Sequence, residues 1–86
     1  MVTTRSAPRP IVRNPRVHGG EPVVRGTRVP VRSVVIAFER HGGDLARVAR
    51  SFTLTPEQVR AALAYYDAHK AEIDRIIAER EQAALA

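Results

Sequence analysis

From Val31 onward the apolar positions recur at helical spacing. Val31, Val34, Val35 and Phe38 fall at i, i+3, i+4 and i+7, and Gly42-Gly43 follow as a C-terminal stop. This pattern predicts a first amphipathic helix. Asp44 stands where an N-cap belongs for a second, short helix that turns Leu45, Val48 and Phe52 inward. Thr55-Pro56-Glu57-Gln58 then carries a complete start signal, with an N-cap threonine, proline at the first helical position and Gln58 closing a capping box. The third helix runs through Val59, Ala62, Leu63 and Tyr66 on one face. Glycine and proline are absent from Glu57 to Ala86, and the stripe resumes at Ile73, Ile76 and Ile77 after a polar stretch, Asp67 to Lys70. Helix three therefore either continues nearly to the end or breaks near His69.

Ahead of Val31 the pattern is of another kind. Ile11-Val12, Val17, Val23-Val24 and Val29 are short β-branched points separated by Asn14-Pro15, Gly19-Gly20 and Gly26. One or two short hairpin strands fit, in a register the pattern leaves open. Residues 1–10, with Thr, Ser, Pro and Arg, read as a flexible tail with nothing to bury. The expected division is a tail at 1–10, a β element with three helices at 11–67, and a helical segment at 68–86. The fold class expected is mainly α: a trihelical, homeodomain-like helix-turn-helix with a short N-terminal β-hairpin and a long C-terminal helix.

Composition narrows the function classes. The chain has 86 residues, enough for one small core, and no cysteine, so neither a disulfide framework nor a thiolate metal site holds it together. Its unbroken apolar runs, such as Val34 to Phe38, are too short for a membrane span or a signal core, which predicts a cytoplasmic protein. His18, His41 and His69 lie 23 and 28 residues apart with no clustered set of ligands around them, and no nucleophile or phosphate-loop signature occurs. No cofactor, metal or enzymatic activity is expected. The apolar points of residues 11–31 have few obvious partners within so short a chain, which predicts a homodimer through that region.

Charge changes the picture further. The net charge is +5, divided as +7 over residues 1–60 and −2 over residues 61–86. A basic front points to nucleic acid and a mildly acidic back to a second kind of partner. In a trihelical helix-turn-helix the third helix enters the major groove and the second crosses the backbone. Arg47 and Arg50 would then face phosphates, while Gln58 and Arg60 sit in the first turns of the reading helix. Arg25-Gly26-Thr27-Arg28 adds two arginines flanking a turn, suited either to phosphate or to a structural carboxylate such as Glu21 or Asp44. The rival expectation is a helix-bundle adaptor that binds protein and no DNA.

The stretch from His18 to Val31 carries one more signal. Gly19, Gly20, Pro22, Arg25, Gly26, Thr27, Arg28, Pro30 and Val31, followed by Leu54-Thr55 and Ala61-Ala62-Leu63, resemble domain-of-unknown-function family 433 over roughly residues 11–67. Glu21 stands where the family run carries lysine, and the second helix bears Arg47 and Arg50 in place of an acidic pair. The resemblance implies a VapB-type antitoxin that binds operator DNA, represses its own operon and neutralises a PIN-like ribonuclease toxin. The Ile73, Ile76 and Ile77 stripe either folds back on its own domain or lies in a partner's groove. Under the resemblance that partner is the toxin, with Arg75 or Arg80 reaching its acidic centre.

Overall fold

A computed structural model describes residues 9–85. The flexible tail expected at residues 1–10 thus lies, for its first eight residues, outside the described part. Two short strands, β1 (Ile11–Arg13) and β2 (Pro22–Val24), pair antiparallel with Ile11 opposite Val24 and Arg13 opposite Pro22. A 3₁₀ turn, His18–Gly20, lies between them. Four α-helices follow: α1 (Val31–Arg40), α2 (Leu45–Phe52), α3 (Pro56–Ala68) and α4 (Lys70–Leu85). The described chain is mainly helical, with one small sheet.

Each helix boundary has a local cause. Pro30 precedes α1 in extended conformation, as a proline at a helix entrance should be. The α1 exit is a Schellman motif: Gly43 N–H donates to the Phe38 carbonyl and Gly42 N–H to that of Glu39, with Gly42 at φ +64°. Asp44 caps α2 by accepting from Arg47 N–H at 3.1 Å. The predicted capping box of α3 is complete: Thr55 Oγ1 accepts from Gln58 N–H at 3.1 Å, and Gln58 Oε1 accepts from Thr55 N–H at 2.8 Å.

The end of α2 repeats the Schellman pattern without glycine. Leu54 N–H donates to the Ala49 carbonyl and Thr53 N–H to that of Arg50, so Thr53 is the residue that turns left-handed, at φ +57°. Leu54 thereby drops into the core. A β-branched side chain is poorly suited to this conformation, and the strain is retained where α2 hands over to α3.

The chain between Asp67 and Lys70 does break. His69 leaves helical geometry at φ −131°, and its ring stacks on Tyr65 with centroids 4.0 Å apart. The break turns α4 back onto α1 and α3. Ile73 enters the core cluster at 1% exposure, beside Val31, Val34, Val48, Val59 and Ala62. Through Ile73, α4 packs on the rest of the described chain. Of the two courses open to its apolar stripe, folding back is the one Ile73 takes.

The apolar points of residues 11–31 also find their partners inside the chain. Ile11, Val17, Val23, Val24 and Val31 are all buried, and Val29 packs against the core. Residues 29–30 extend the sheet beyond β2, through Val24 N–H to the Val29 carbonyl at 2.9 Å and a bridge between Val23 and Pro30. The premise for a dimer through this region, a shortage of partners, does not hold.

Candidate nucleic-acid interface

The glycine-rich signature region builds scaffold first. Val24 to Thr27 form a turn closed by Thr27 N–H to the Val24 carbonyl at 3.0 Å, with Gly26 at φ +78° in the third position. That conformation is the one a type II turn asks of its third residue. Thr27 Oγ1 donates to the Val24 carbonyl and accepts from Val29 N–H, tying the turn to the strand after it. His18 Nε2–H donates to the Arg28 carbonyl at 2.9 Å and holds the far side of the turn. Arg25 and Arg28 flank this rigid loop and both are exposed.

Glu21, expected as a partner for Arg25 or Arg28, binds two other arginines. It is the buried charged residue of the described core, at 7% exposure. Arg32 of α1 donates from Nε to both carboxylate oxygens at 2.9 and 3.2 Å, and Arg80 of α4 donates to Oε2 and to the His18 carbonyl. Two guanidinium groups thus satisfy one buried acid. A second polar cluster ties β1 to the C-terminal helices. Arg13 donates to Tyr65 Oη at 2.9 Å and pairs with Glu72. The Glu72 hydrogen bond pushes the Arg13 guanidinium further up from its ordinary value, against a smaller opposing effect of burial.

These clusters commit Arg13, Arg32 and Arg80 to carboxylates of the chain's own fold. Sequence reasoning missed them. The available signal was Glu21 itself, an acid set against the buried run Pro22-Val23-Val24, which demands basic partners but does not say from where.

The arginines expected to meet DNA are placed differently. Arg47 and Arg50, three residues apart on α2, are both exposed, and so is Arg60 on α3. Among the described residues none of the three has a carboxylate within ion-pair distance, and neither has Arg25 or Arg28. Gln58 is half-buried, with its carbonyl oxygen committed to the capping box and its amide nitrogen still a donor. The rest of the outward side of α3 is not basic: Glu57, Ala64 and Asp67 share it with Arg60.

The residues expected to hold a toxin divide. Ile73 is in the core and Arg80 is bound to Glu21, so the chain's own fold engages both. Ile76 and Ile77 are half-buried. Arg75 is exposed and lies 3.9 Å from Glu79. Among the described residues no helix is long and apolar enough to cross a membrane, and no cluster of three potential metal ligands forms.

Comparison with known proteins agrees with this architecture. Residues 11–66 match the family described as a protein of unknown function, DUF433. The crystal structure of a DUF433 member from Anabaena variabilis ATCC 29413 is similar at TM-score 0.70 and 35% identity, over 81% of this chain and 69% of that one. No curated protein matches.

Proposed function

The chain belongs to the DUF433 family, and from that premise we propose a DNA-binding regulator of the antitoxin type. The observation that carries the DNA half is the pair Arg47 and Arg50: exposed, one helical turn apart, and free of carboxylate partners among the described residues. In this reading α2, the turn at Thr53 to Thr55 and α3 act as a helix-turn-helix. Arg47 and Arg50 neutralise phosphates, as do Arg25 and Arg28 on the rigid hairpin loop. Arg60 and the free amide nitrogen of Gln58 offer donors to base edges, where acceptors such as guanine O6 and N7 are read.

The antitoxin half rests on the family resemblance. It assigns toxin contact to the outward side of α4, around Arg75 and Ile76, and repression of its own operon to the helix-turn-helix. A second reading, a helix-bundle adaptor without DNA binding, is favoured by Glu57 and Asp67 on the outward side of α3. Binding of the chain to its own upstream DNA at several salt concentrations separates the two. Arg47→Ala with Arg50→Ala should weaken binding to every sequence and reduce the salt slope by about 2, at roughly 0.9 per phosphate contact. Arg60→Ala should instead change which operator variants bind best. Wild-type protein that ignores the DNA at low salt, or variants that bind like it, would overturn the DNA reading in favour of the adaptor.

A further inference from the structure

The capping box of α3 has a second effect, on the side chain that closes it. Gln58 stands in the first turn of α3, the part of a reading helix that meets base edges in a helix-turn-helix. Arg50 lines one cleft with Thr53, Thr55 and Pro56, so the exposed arginine of α2 and the start of α3 share one surface. A glutamine with both amide atoms free offers a donor and an acceptor, and pairs bidentately with adenine N7 and N6. Gln58 does not have that choice. Its Oε1 accepts from Thr55 N–H at 2.8 Å, while its own backbone N–H donates to Thr55 Oγ1 at 3.1 Å. With the oxygen held on the cap, only the N–H bonds of Nε2 remain to offer. Freeing the oxygen would strand Thr55 N–H at the helix start, one of the donors that a cap exists to satisfy.

We propose that Gln58 is a specificity-determining residue of fixed polarity: it selects guanine or thymine at one position of the site and rejects adenine and cytosine there. The proposal rests on the helix-turn-helix reading and adds to it the base class that this position takes. In the major groove guanine presents O6 and N7 and thymine presents O4, all acceptors, whereas adenine N6 and cytosine N4 are donors. A donor set against a donor leaves both unpaired, and that is what rejects the wrong base. Adenine also presents N7, but its N6 hydrogens then meet those of Gln58. Glutamate in this place inverts the polarity and keeps the helix, because a capping box closes with Glu as well as with Gln. One carboxylate oxygen takes Thr55 N–H, and the other stands where Nε2 stood, an acceptor in place of a donor. Cytosine N4 is the base group from which a carboxylate accepts.

The test uses the full chain and a pool of randomised DNA duplexes from which bound sequences are recovered. Wild-type protein should enrich guanine or thymine at one position where Gln58→Glu enriches cytosine, the other positions staying as they were. A wrong base there should weaken wild-type binding by roughly two- to tenfold, the effect of one neutral hydrogen bond. Gln58→Met, similar in length and without charge, should make that same position indifferent. The urea midpoint of Gln58→Glu should not fall below that of wild type, since an acid suits the first turn of a helix. A lower midpoint would mean that the cap does not hold this side chain. A motif left unchanged by both variants, or wild-type protein that binds every duplex alike, would overturn the proposal and leave the helix-turn-helix reading standing. Wild-type protein that binds no duplex at low salt would overturn both. Should the added charge keep Gln58→Glu off DNA altogether, Gln58→Met decides: one position made indifferent supports the proposal, and an unchanged motif overturns it.

Discussion

Tyr66 shows how much one side-chain contact alters a titration. Its hydroxyl donates to Asp74 Oδ1 at 2.7 Å, joining the end of α3 to the first turns of α4. A carboxylate that accepts this proton opposes its loss. Together with burial and the nearby negative charge of Asp74, the hydrogen bond pushes the Tyr66 hydroxyl up to about 12, from an ordinary value of about 10. The folded state thus holds its proton more tightly than the unfolded state does. The stabilisation is complete below the unfolded value and is lost as pH rises from about 10 through about 12. Titration of the Tyr66 hydroxyl by tyrosinate absorbance should place it well above the ordinary value in the folded protein, with Asp74→Asn bringing it back down. A Tyr66 that ionises at the ordinary value in the wild type would mean that its hydrogen bond to Asp74 does not form in solution. Tyr65, beside it in sequence, serves a different neighbourhood: it accepts from Arg13 and stacks on His69.

At the scale of elements, the turn between α2 and α3 is the most exacting piece of backbone. Thr53 occupies the left-handed position that glycine takes at the end of α1. For an L-residue this conformation costs roughly 1–2 kcal/mol, while glycine loses about 0.5–1 kcal/mol of additional freedom on folding. Thr53→Gly should therefore stabilise the domain by up to about 1 kcal/mol, read as a raised urea midpoint with an unchanged slope. A lowered midpoint would mean that the threonine side chain makes a contact worth more than the strain it carries.

The elements also show what was legible beforehand. The α3 start was readable because its capping box lies within four residues, and the α1 stop because Gly42-Gly43 mark it in the sequence. The break at His69 was not decided, since helix formers stand on both sides. What sets it is tertiary: Ile73 belongs in the core and Tyr66 reaches Asp74, and a straight helix would not deliver both. Glu21 illustrates the same limit. Its two partners lie 11 and 59 positions away, beyond any local pattern. The placement of Arg47, Arg50 and Arg60 was legible as far as exposure on helical faces. The mixed charge of the outward side of α3 became apparent only once Val59 and Ala62 had fixed which side faces in.

For the whole molecule, the C-terminal helix is part of the fold. The family match ends at residue 66, yet the core takes Ile73 and the buried acid takes Arg80. Glu21→Gln should leave Arg32 and Arg80 without their counter-charge. It should lower stability by about 2–4 kcal/mol, as breaking one partner of a buried pair does. Urea unfolding at neutral pH measures it, and a loss below about 0.5 kcal/mol, typical of a surface pair, would show the site to be solvated.

The Glu21–Arg80 contact spans 59 positions, and that span has a consequence for synthesis. A ribosome releases the hairpin and α1 first, and domains fold in the order they emerge. In that interval Glu21 has Arg32 alone, and the place of Ile73 is empty. A chain cut short before Arg80 lacks the second guanidinium, and one cut short before Ile73 also leaves that core position uncovered. Closure of the buried acid thus waits for α4, and the hairpin depends on a segment made well after it.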